Sequence, residues 1–252
     1  MIRVLICGAL GRMGANIREM LSGDGEAKAV CGVDPRGDMT GEFPVYPSFD
    51  KVNEDVDVII DFSSPAALSD ELGYAIKNGV PAVIASTGYT PEQLEEIKAA
   101  SEKVAIFRTA NFSLGINLLC ELVKKAAETL GEKFDIEIIE KHHSQKVDAP
   151  SGTALMLADS ANSAFGGSKP YVNGREGIVG KRGNEIGIHA VRGGTIVGEH
   201  EVLFCGEDEI ISLSHSARSK KVFAAGAIKA AKWLAGKKAG HYDMKDLLGD
   251  VL

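Results

Sequence analysis

The first half of the chain alternates short apolar runs with stretches whose apolar residues recur at helical spacing. Five runs rich in valine and isoleucine predict strands at residues 2–8, 28–34, 56–62, 81–86 and 104–109. Apolar residues fill consecutive positions in these runs, which indicates burial on both faces and, with helices in between, a parallel sheet. One helix has a clear start, because Thr90 is an N-cap followed by Pro91, and Gln93 completes a capping box.

The pattern changes after about residue 111. A helix is expected over 115–130, a strand over 134–143, a helix from Gly152, a glycine-rich polar stretch over 166–184, and three strands near 185–192, 195–205 and 209–215. The Gly193-Gly194 pair predicts a hairpin turn between the first two of these strands. This half is therefore α+β with antiparallel pairing, and the last segment, 222–236, has an apolar face at helical spacing. The chain is expected to contain an α/β parallel-sheet domain and an α+β domain with a mixed sheet.

The composition is that of a globular protein, and the net charge argues against a nucleic acid or a membrane as its partner. The chain has 252 residues, of which 44% are hydrophobic and 25% charged, which is enough for two modest domains. The 28 basic and 35 acidic residues give a formal net charge of −7, which does not attract nucleic-acid phosphates or an anionic membrane surface. No apolar run approaches the roughly 20 residues of a membrane span, and no signal-peptide pattern opens the chain. We therefore expect a cytoplasmic protein with a small-molecule partner.

A glycine-rich turn follows the first predicted strand. Gly8, Gly11 and Gly14 are spaced by three residues in GALGRMG, where the common dinucleotide fingerprint is G-x-G-x-x-G. Glycine lets backbone N–H groups and the positive end of a helix approach a pyrophosphate closely. Asp34 ends the second predicted strand, where a carboxylate can accept a hydrogen bond from an adenosine ribose hydroxyl. A structural turn could also need glycine, but the glycines, the helix, the second strand and this Asp together predict dinucleotide binding.

Further polar and cationic residues lie at the ends of predicted strands, where ligands bind in an open parallel sheet. Arg12 and Arg36 are candidates for phosphate contacts. The turn formed by Ser86, Thr87 and Gly88 suits a nicotinamide carboxamide. The loop at 61–64 also follows a strand, although its last residue is equally well explained as the N-cap of the following helix.

The densest group of chemically active residues is EKHHSQKVDAPSGTA, at 140–154. His142 and His143 project to opposite faces if the preceding strand continues, so they are expected to have different roles. A histidine titrates near neutral pH and is a natural proton donor, and Lys146 supplies a fixed cation or a second donor. The hydroxyls of Ser151 and Thr153, together with the free N–H groups of the helix that begins there, form a receptor for a carboxylate.

This combination predicts the reduction of a small acidic molecule by a nicotinamide cofactor. Adjacent histidines can also be ordinary surface or core residues, and Ser151 can be a simple N-cap. A metal site is not expected, because the two histidines lack the usual ligand spacing and the four cysteines, Cys7, Cys31, Cys120 and Cys205, form no C-x-x-C pair. The scattered cysteines also fit a reducing compartment.

Several of these motifs resemble one known family. The segments are GALGRMG, DFSSP from Asp61, STG from Ser86, ANFSLGIN from Ala110, EKHHSQKVDAPSGTA from Glu140, and VRGGTIVGEHEVLF from Val191. They are similar to those of the 4-hydroxy-tetrahydrodipicolinate reductases, formerly called dihydrodipicolinate reductases, of the diaminopimelate route to lysine. The similarity extends from Met1 to YDMKDLL near Tyr242, and the histidine motif is highly specific.

The resemblance implies a Rossmann-type dinucleotide-binding domain at 1–112, completed by a returning C-terminal segment at 222–252. It also implies a substrate-binding domain at 113–221, whose sheet builds a homotetramer. The implied reaction is the NAD(P)H-dependent reduction of 4-hydroxy-tetrahydrodipicolinate, through its dehydrated form, to tetrahydrodipicolinate.

The resemblance also assigns residues to roles. His142 is the implied proton donor, assisted by Lys146. Five positions match those that hold the carboxylates of the substrate: His143, Lys146, Ser151, Gly152 and Thr153. The cofactor positions are matched by Gly8, Arg12, Met13, Gly14, Asp34, Ser86, Thr87, Gly88, Ala110, Asn111 and Phe112.

Three points stay open in the sequence. The cofactor is NADH or NADPH, because Asp34 favours a free 2′-hydroxyl while Arg36 can pair with a 2′-phosphate. A rival enzyme is another amino-acid-pathway dehydrogenase, acting on a semialdehyde or a hydroxy acid. A rival of another class is a non-catalytic dinucleotide sensor, which would bind the cofactor tightly without turnover.

Overall fold

The computed structural model describes residues 1–37, 39, 41 and 43–249. The chain forms two compact units. Unit 1 consists of Met1–Ser113 and Lys221–Leu252, and unit 2 consists of Leu114–Lys220.

Unit 1 is built on a seven-stranded parallel sheet. Its strands are β1 (Ile2–Cys7), β2 (Ala27–Val33), β3 (Val45–Tyr46), β4 (Val58–Asp61), β5 (Ala82–Ile84), β6 (Ala105–Arg108) and β12 (Gly240–Tyr242), in the order β12-β6-β5-β4-β1-β2-β3. Its helices are α1 (Arg12–Ser22), α2 (Leu68–Asn78), α3 (Pro91–Ser101), α6 (Lys221–Leu234) and α7 (Met244–Gly249). The five strands predicted from the first half are confirmed, and the predicted capping box of Thr90 and Gln93 starts α3.

The register of this sheet aligns the strand ends that carry the candidate cofactor residues. Cys7 lies opposite Val33 on one side and Asp61 on the other, Asp61 lies opposite Ile84, and Ile84 lies opposite Arg108. The loops that follow these strands therefore leave the sheet along one edge. This is the edge at which ligands bind in doubly wound sheets.

Unit 2 contains a five-stranded mixed sheet and two helices, which confirms the predicted α+β class. The strands are β7 (Asp135–His142), β8 (Tyr171–Asn173), β9 (Ile186–Arg192), β10 (Gly198–Cys205) and β11 (Ile210–Ala217), and the helices are α4 (Leu114–Leu130) and α5 (Gly152–Ser163). The strand order is β11-β10-β7-β9-β8. β7 pairs with β9 in parallel and with β10 in antiparallel orientation. Residues 136, 138, 140 and 142 of β7 alternate with more exposed neighbours, so one face of this strand is buried.

The hairpin predicted at Gly193-Gly194 is wrong. β9 and β10 do not pair, because β7 lies between them in the sheet. The connection instead crosses the end of β7, where the Gly193 N–H donates to the His142 carbonyl (2.9 Å) and the Ser144 N–H donates to the Gly194 carbonyl (3.2 Å). Glycine is needed here because Gly194 has φ 49°, and the antiparallel hairpin is made one connection later, between β10 and β11.

In the part of the chain that the structure describes, every helix is too short or too polar to cross a lipid bilayer.

Candidate active site

The glycine turn of unit 1 has the geometry of a phosphate cradle. Gly8 has φ 77°, and a Cβ on it would lie 2.9 Å from the Phe62 carbonyl oxygen. A Cβ on Gly14 would lie 2.4 Å from the Gly8 carbonyl oxygen, so the turn tolerates no side chain at either place. Gly11 is the N-cap of α1 and has no side chain with which to satisfy the first N–H groups of the helix. These features fit the pyrophosphate of a dinucleotide.

The two candidates for contacts to the adenosine ribose form one ion pair. Asp34 is buried, and its Oδ1 lies 2.8 Å from Nε of Arg36, whose side chain is largely exposed. Asp34 also accepts hydrogen bonds from the Leu10 N–H at 3.2 Å and from Arg36 Nη2 at 2.9 Å. The hydrogen bond from Arg36 lowers the pKa of Asp34, so the carboxylate stays ionised at neutral pH. The carboxylate is thus fixed at the end of β2, and the guanidinium faces solvent.

The other candidate cofactor residues lie along the same edge of the unit 1 sheet. Arg12 and Met13 form the first turn of α1. The turn after β5 contains Ser86, Thr87 and Gly88, of which the last has φ 87°. The loop after β6 contains Ala110, Asn111 and Phe112, of which the last two are buried.

A buried cluster of potential metal ligands also lies in unit 1. Among the described residues, Cys7, Asp61 and Glu71 place possible ligand atoms within 4.8 Å of one another. Burial raises the pKa of Glu71 and of Cys7 well above their ordinary values, and the charge of Asp61 acts in the same direction. Burial therefore favours the protonated form of both side chains, and a cation would have to displace these protons to bind here. Asp61 is held instead by the N–H and the hydroxyl of Ser63, at 2.8 and 2.5 Å.

In unit 2, the candidate proton donor His142 ends strand β7 on its buried face. Only 9% of its surface is exposed, and its Nδ1 lies 2.5 Å from Oε2 of Glu140. Glu140 is completely buried on the same face, two residues earlier in the strand. The alternation of a β-strand thus places a carboxylate directly beside the imidazole. His143 follows the end of the strand and is half-buried.

Glu140 is held by three residues. Arg192, at the end of β9, donates from Nη1 to Oε2 (2.8 Å) and from Nη2 to Oε1 (2.7 Å), and the Ser151 N–H donates to Oε1 (3.0 Å). Burial alone would raise the pKa of Glu140. The hydrogen bonds from Arg192, His142 and Ser151 outweigh burial and lower this pKa, so Glu140 is ionised.

A second histidine, His200 of β10, packs against the first. The ring centroids of His142 and His200 are 5.1 Å apart and the rings meet edge to face. Nε2 of His200 lies 3.2 Å from Oγ of Ser151. Burial lowers the pKa of His200 to about 4, with the positive charge of His142 acting in the same direction. His200 is therefore neutral at pH 7.

The start of helix α5 brings an anion-binding end to the same place. Ser151 is the N-cap, and its side chain accepts a hydrogen bond from the Ala154 N–H at 3.2 Å. Gly152 is exposed and Thr153 is half-buried in the first turn. Because Glu140 contacts both His142 and the Ser151 N–H, the imidazole and the positive helix end are next to each other. This arrangement can hold a carboxylate beside a proton donor.

Lys146 lies in the tight turn between β7 and α5. Its N–H donates to the His143 carbonyl at 3.1 Å, and its Nζ lies 2.8 Å from Oδ1 of Asp148. The ammonium group is mostly covered, whereas the Asp148 side chain is largely exposed. After burial and the charge of His142, the charge of Lys146 also contributes to the lowered pKa of His200. The cation is therefore within electrostatic reach of the imidazole of His200.

The stability of the protein is expected to fall as the pH drops from 6.5 to about 4, because in this interval His200 takes up a proton in the unfolded state but not in the folded state. Its pKa is lower in the folded than in the unfolded state, so its contribution is complete above pH 6.5 and lost on the way to pH 4. At about 1.4 kcal/mol per pKa unit, this loss is on the order of 3 kcal/mol in the free energy of unfolding.

Urea unfolding of the wild type and of His200→Gln at pH 7 and pH 4 measures this contribution. The variant should lose less stability than the wild type over this interval. The matched control is His241→Gln, at an exposed position, which should behave like the wild type. An equal loss in His200→Gln and in the wild type would contradict the assignment.

Three residues of this cluster are absent from the site predicted from the sequence: Glu140, Arg192 and His200. Glu140 could have been found, since alternation along β7 places it on the same face as His142. Arg192 and His200 belong to β9 and β10, which flank β7 on either side. Both residues lie in the segment VRGGTIVGEHEVLF, which resembles the family, but the sequence does not indicate that this segment meets Glu140.

Comparison with known proteins agrees with the motifs. Residues 2–112 match the family described as dihydrodipicolinate reductase, N-terminus, and residues 115–248 match dihydrodipicolinate reductase, C-terminus. The chain is 51% identical, over 249 residues and 98% of both chains, to the 4-hydroxy-tetrahydrodipicolinate reductase of Caldanaerobacter subterraneus subsp. tengcongensis. It is 46% identical, over 99% of this chain and 100% of the relative, to the enzyme of the same name from Methanocorpusculum labreanum.

Solved structures show the same similarity. A dipicolinate-bound dihydrodipicolinate reductase from Paenisporosarcina sp. TG-14 superposes with a TM-score of 0.81 at 27% identity, over 100% of both chains. A probable dehydrogenase from Thermotoga maritima, at 15% identity and a TM-score of 0.59 over 96% of this chain and 90% of the other, shares the fold.

Proposed function

Because this chain belongs to the dihydrodipicolinate reductase family, we propose that it reduces 4-hydroxy-tetrahydrodipicolinate to tetrahydrodipicolinate with NADH or NADPH, in the diaminopimelate route to lysine. The observation that carries this proposal is the arrangement in unit 2, where His142 lies beside the N-terminus of α5, with Glu140 contacting both. A proton donor next to an anion receptor suits the reduction of a small dicarboxylate.

Unit 1 is proposed to bind the cofactor. The glycine turn holds the pyrophosphate against the start of α1, and Arg12 adds positive charge in that first turn. The loops after β5 and β6 hold the nicotinamide end of the cofactor. When bound, the reduced nicotinamide supplies the hydride.

Both cofactors are expected to be accepted, because Asp34 and Arg36 act as a pair. The carboxylate of Asp34 suits the ribose hydroxyls of NADH. The exposed guanidinium of Arg36 can turn toward a 2′-phosphate while its backbone N–H keeps its contact with Asp34 at 3.2 Å.

His142 is proposed to deliver the proton. After the substrate loses its 4-hydroxyl as water, one hydride and one proton add across the conjugated C=C and C=N bonds of the ring. Negative charge spreads through that conjugated system as the hydride arrives at C4. A proton from Nε2 of His142, together with the positive charge of Lys146, stabilises this charge.

The start of α5 is proposed to orient the substrate. Ser151, Gly152 and Thr153 present hydroxyl and N–H donors to one carboxylate, and His143 and Lys146 add donors in the neighbouring turn. These contacts fix the orientation of the ring, and this orientation is itself a contribution to the rate.

A coupled assay tests the proposed function. The substrate is generated freshly, and the oxidation of NADH and of NADPH is followed by absorbance with and without it. We expect substrate-dependent oxidation of both cofactors. Oxidation only with a semialdehyde or a hydroxy acid would favour the rival dehydrogenase, and tight cofactor binding with no oxidation would favour the sensor.

We also propose that the protein is a cytoplasmic homotetramer assembled through unit 2. The four cysteines are far apart in the sequence and form no C-x-x-C pair, which supports a reducing compartment. Ile178 and Val179, between β8 and β9, are exposed apolar residues, which supports an interface with another copy of the chain.

A further inference from the structure

We propose that Glu140 is a positioning residue, which keeps a proton on Nδ1 of His142 and thereby makes Nε2 the atom that gives its proton to the substrate. This inference rests on the proposed function for the identity of the substrate. Its structural part concerns only the imidazole and the carboxylate, and can be tested without turnover.

All the hydrogen-bonding capacity of Glu140 is used by N–H donors. A carboxylate offers about four acceptor directions. Oε1 receives the Ser151 N–H and Arg192 Nη2, and Oε2 receives Arg192 Nη1 and Nδ1 of His142. An ionised carboxylate can only accept, so Nδ1 must carry a proton whenever the imidazole is in this position.

The proton on Nδ1 determines the role of the other ring nitrogen, Nε2. With Nδ1 permanently protonated, gain and loss of the second proton take place at Nε2. Gly198 lies beside this atom. A Cβ on Gly198 would be only 3.2 Å from Nε2 of His142, so the absence of a side chain leaves room there. A side chain at residue 198 would therefore crowd the atom that exchanges the proton.

The same carboxylate links the proton donor to the substrate-binding end of α5. Oε1 of Glu140 accepts the Ser151 N–H, and Oε2 faces His142. The distance between the imidazole and the proposed carboxylate receptor is thus set by one rigid, completely buried group. Arg192 compensates the charge of this group and fixes its orientation with two hydrogen bonds.

The other charged and titratable residues that the structure describes near His142 do not accept a hydrogen bond from its Nδ1. His200 faces His142 from β10, but its Nε2 contacts Ser151 and it is neutral at pH 7. His215 lies opposite His200 on β11, and burial lowers its pKa as well. Lys146 pairs with Asp148. Among the described residues, Glu140 is the carboxylate that contacts the imidazole of His142.

Glu140→Gln tests the role with almost no change in volume. The amide oxygen can satisfy Ser151, but the NH₂ group then faces Nδ1, which must become an acceptor. Neutral His142 would carry its proton on Nε2, and the imidazolium would be opposed by an N–H donor. The corresponding exchange in Ser-His-Asp triads lowers kcat by about 10⁴-fold. We expect kcat to fall by about 10²–10⁴-fold with KM nearly unchanged.

A matched control lies on the same strand. Glu137 is also held by two arginines and a histidine, Arg175, Arg182 and His189, but on the opposite face of β7. Glu137→Gln should keep the kcat of the wild type even if it costs stability. Glu140→Asp retains a carboxylate and should recover part of the kcat lost in Glu140→Gln.

The tautomer of His142 is read independently by ¹⁵N NMR of the protein without ligands. The wild type should show the neutral imidazole protonated at Nδ1, and Glu140→Gln should show it protonated at Nε2. A wild-type imidazole protonated at Nε2, or a Glu140→Gln variant with unchanged kcat, would overturn the inference. Absence of reductase activity in the wild type would overturn the proposed function instead, while the NMR result would still decide the role of Glu140.

Discussion

His142→Gln is expected to lower kcat by about 10²–10⁴-fold, because the variant loses the proposed donor of a proton to the developing anion. Glutamine is uncharged and holds its amide protons too tightly to act as an acid at neutral pH. The proposed substrate contacts at the start of α5 stay in place, so KM for both substrates should change little. Steady-state kinetics with each substrate varied in turn measures both constants.

The best control for this variant is His189→Gln. His189 also contacts a strand glutamate, with its Nε2 2.7 Å from Oε2 of Glu137, but that pair lies on the other face of the sheet. Its kcat should equal that of the wild type. Lys146→Ala should lower kcat by roughly 10- to 100-fold, since it removes one positive charge and leaves the acid in place. A His142→Gln enzyme with more than half the wild-type kcat would contradict the proposed role of His142.

Gly226→Ala is expected to cause the largest loss of stability. Gly226 lies inside α6, and a Cβ on it would lie 1.7 Å from the carbonyl oxygen of Phe112. This overlap is with backbone, so it can be relieved only by moving the helix or the loop after β6. We expect the free energy of unfolding to fall by about 3 kcal/mol, which lowers Tm by about 10 °C for a protein of this size. NADH should also bind more weakly, because Phe112 is among the proposed cofactor contacts.

Gly73→Ala is the same substitution at another helix position, and it is expected to raise the free energy of unfolding rather than lower it. Gly73 is exposed inside α2, and a Cβ there would meet nothing within 4 Å. Alanine in a helix interior is favoured over glycine by roughly 0.5–1 kcal/mol, so this variant should be slightly more stable than the wild type. Comparing the Tm of the two variants separates the steric effect of a Cβ at residue 226 from the higher helix propensity of alanine. A Gly226→Ala protein as stable as Gly73→Ala would show that α6 packs differently.

Several features of the protein were accessible from the sequence because they depend on neighbouring residues. The capping box of Thr90 and Gln93 acts within one helical turn, and α3 begins where it predicts. The buried strands of unit 1 show their burial in consecutive apolar residues. Gly8 is required by a local φ of 77°, which glycine adopts without strain. The family, too, is evident from short motifs.

The order of the strands in the unit 2 sheet could not be predicted from local signals, as the incorrect hairpin at Gly193-Gly194 shows. The glycine pair does make a turn, but the turn signal does not say which strand lies beside which. In the folded protein β9 and β10 lie on opposite sides of β7, so the glycine connection crosses the end of that strand.

The sequence by itself determined most of the strands and helices of this protein, its glycine turn, the position of its histidine motif and its family, but not the short strands β3, β8 and β12. Only the tertiary structure decided that Arg192, 52 residues beyond Glu140 along the chain, would fix the carboxylate next to His142. The physical reason is that the interactions that form single helices and turns are short in sequence range, whereas those that bring strands together are long. Periodicity, caps and turns act over a few residues, whereas the order of strands is set by hydrogen bonds and burial shared among distant segments.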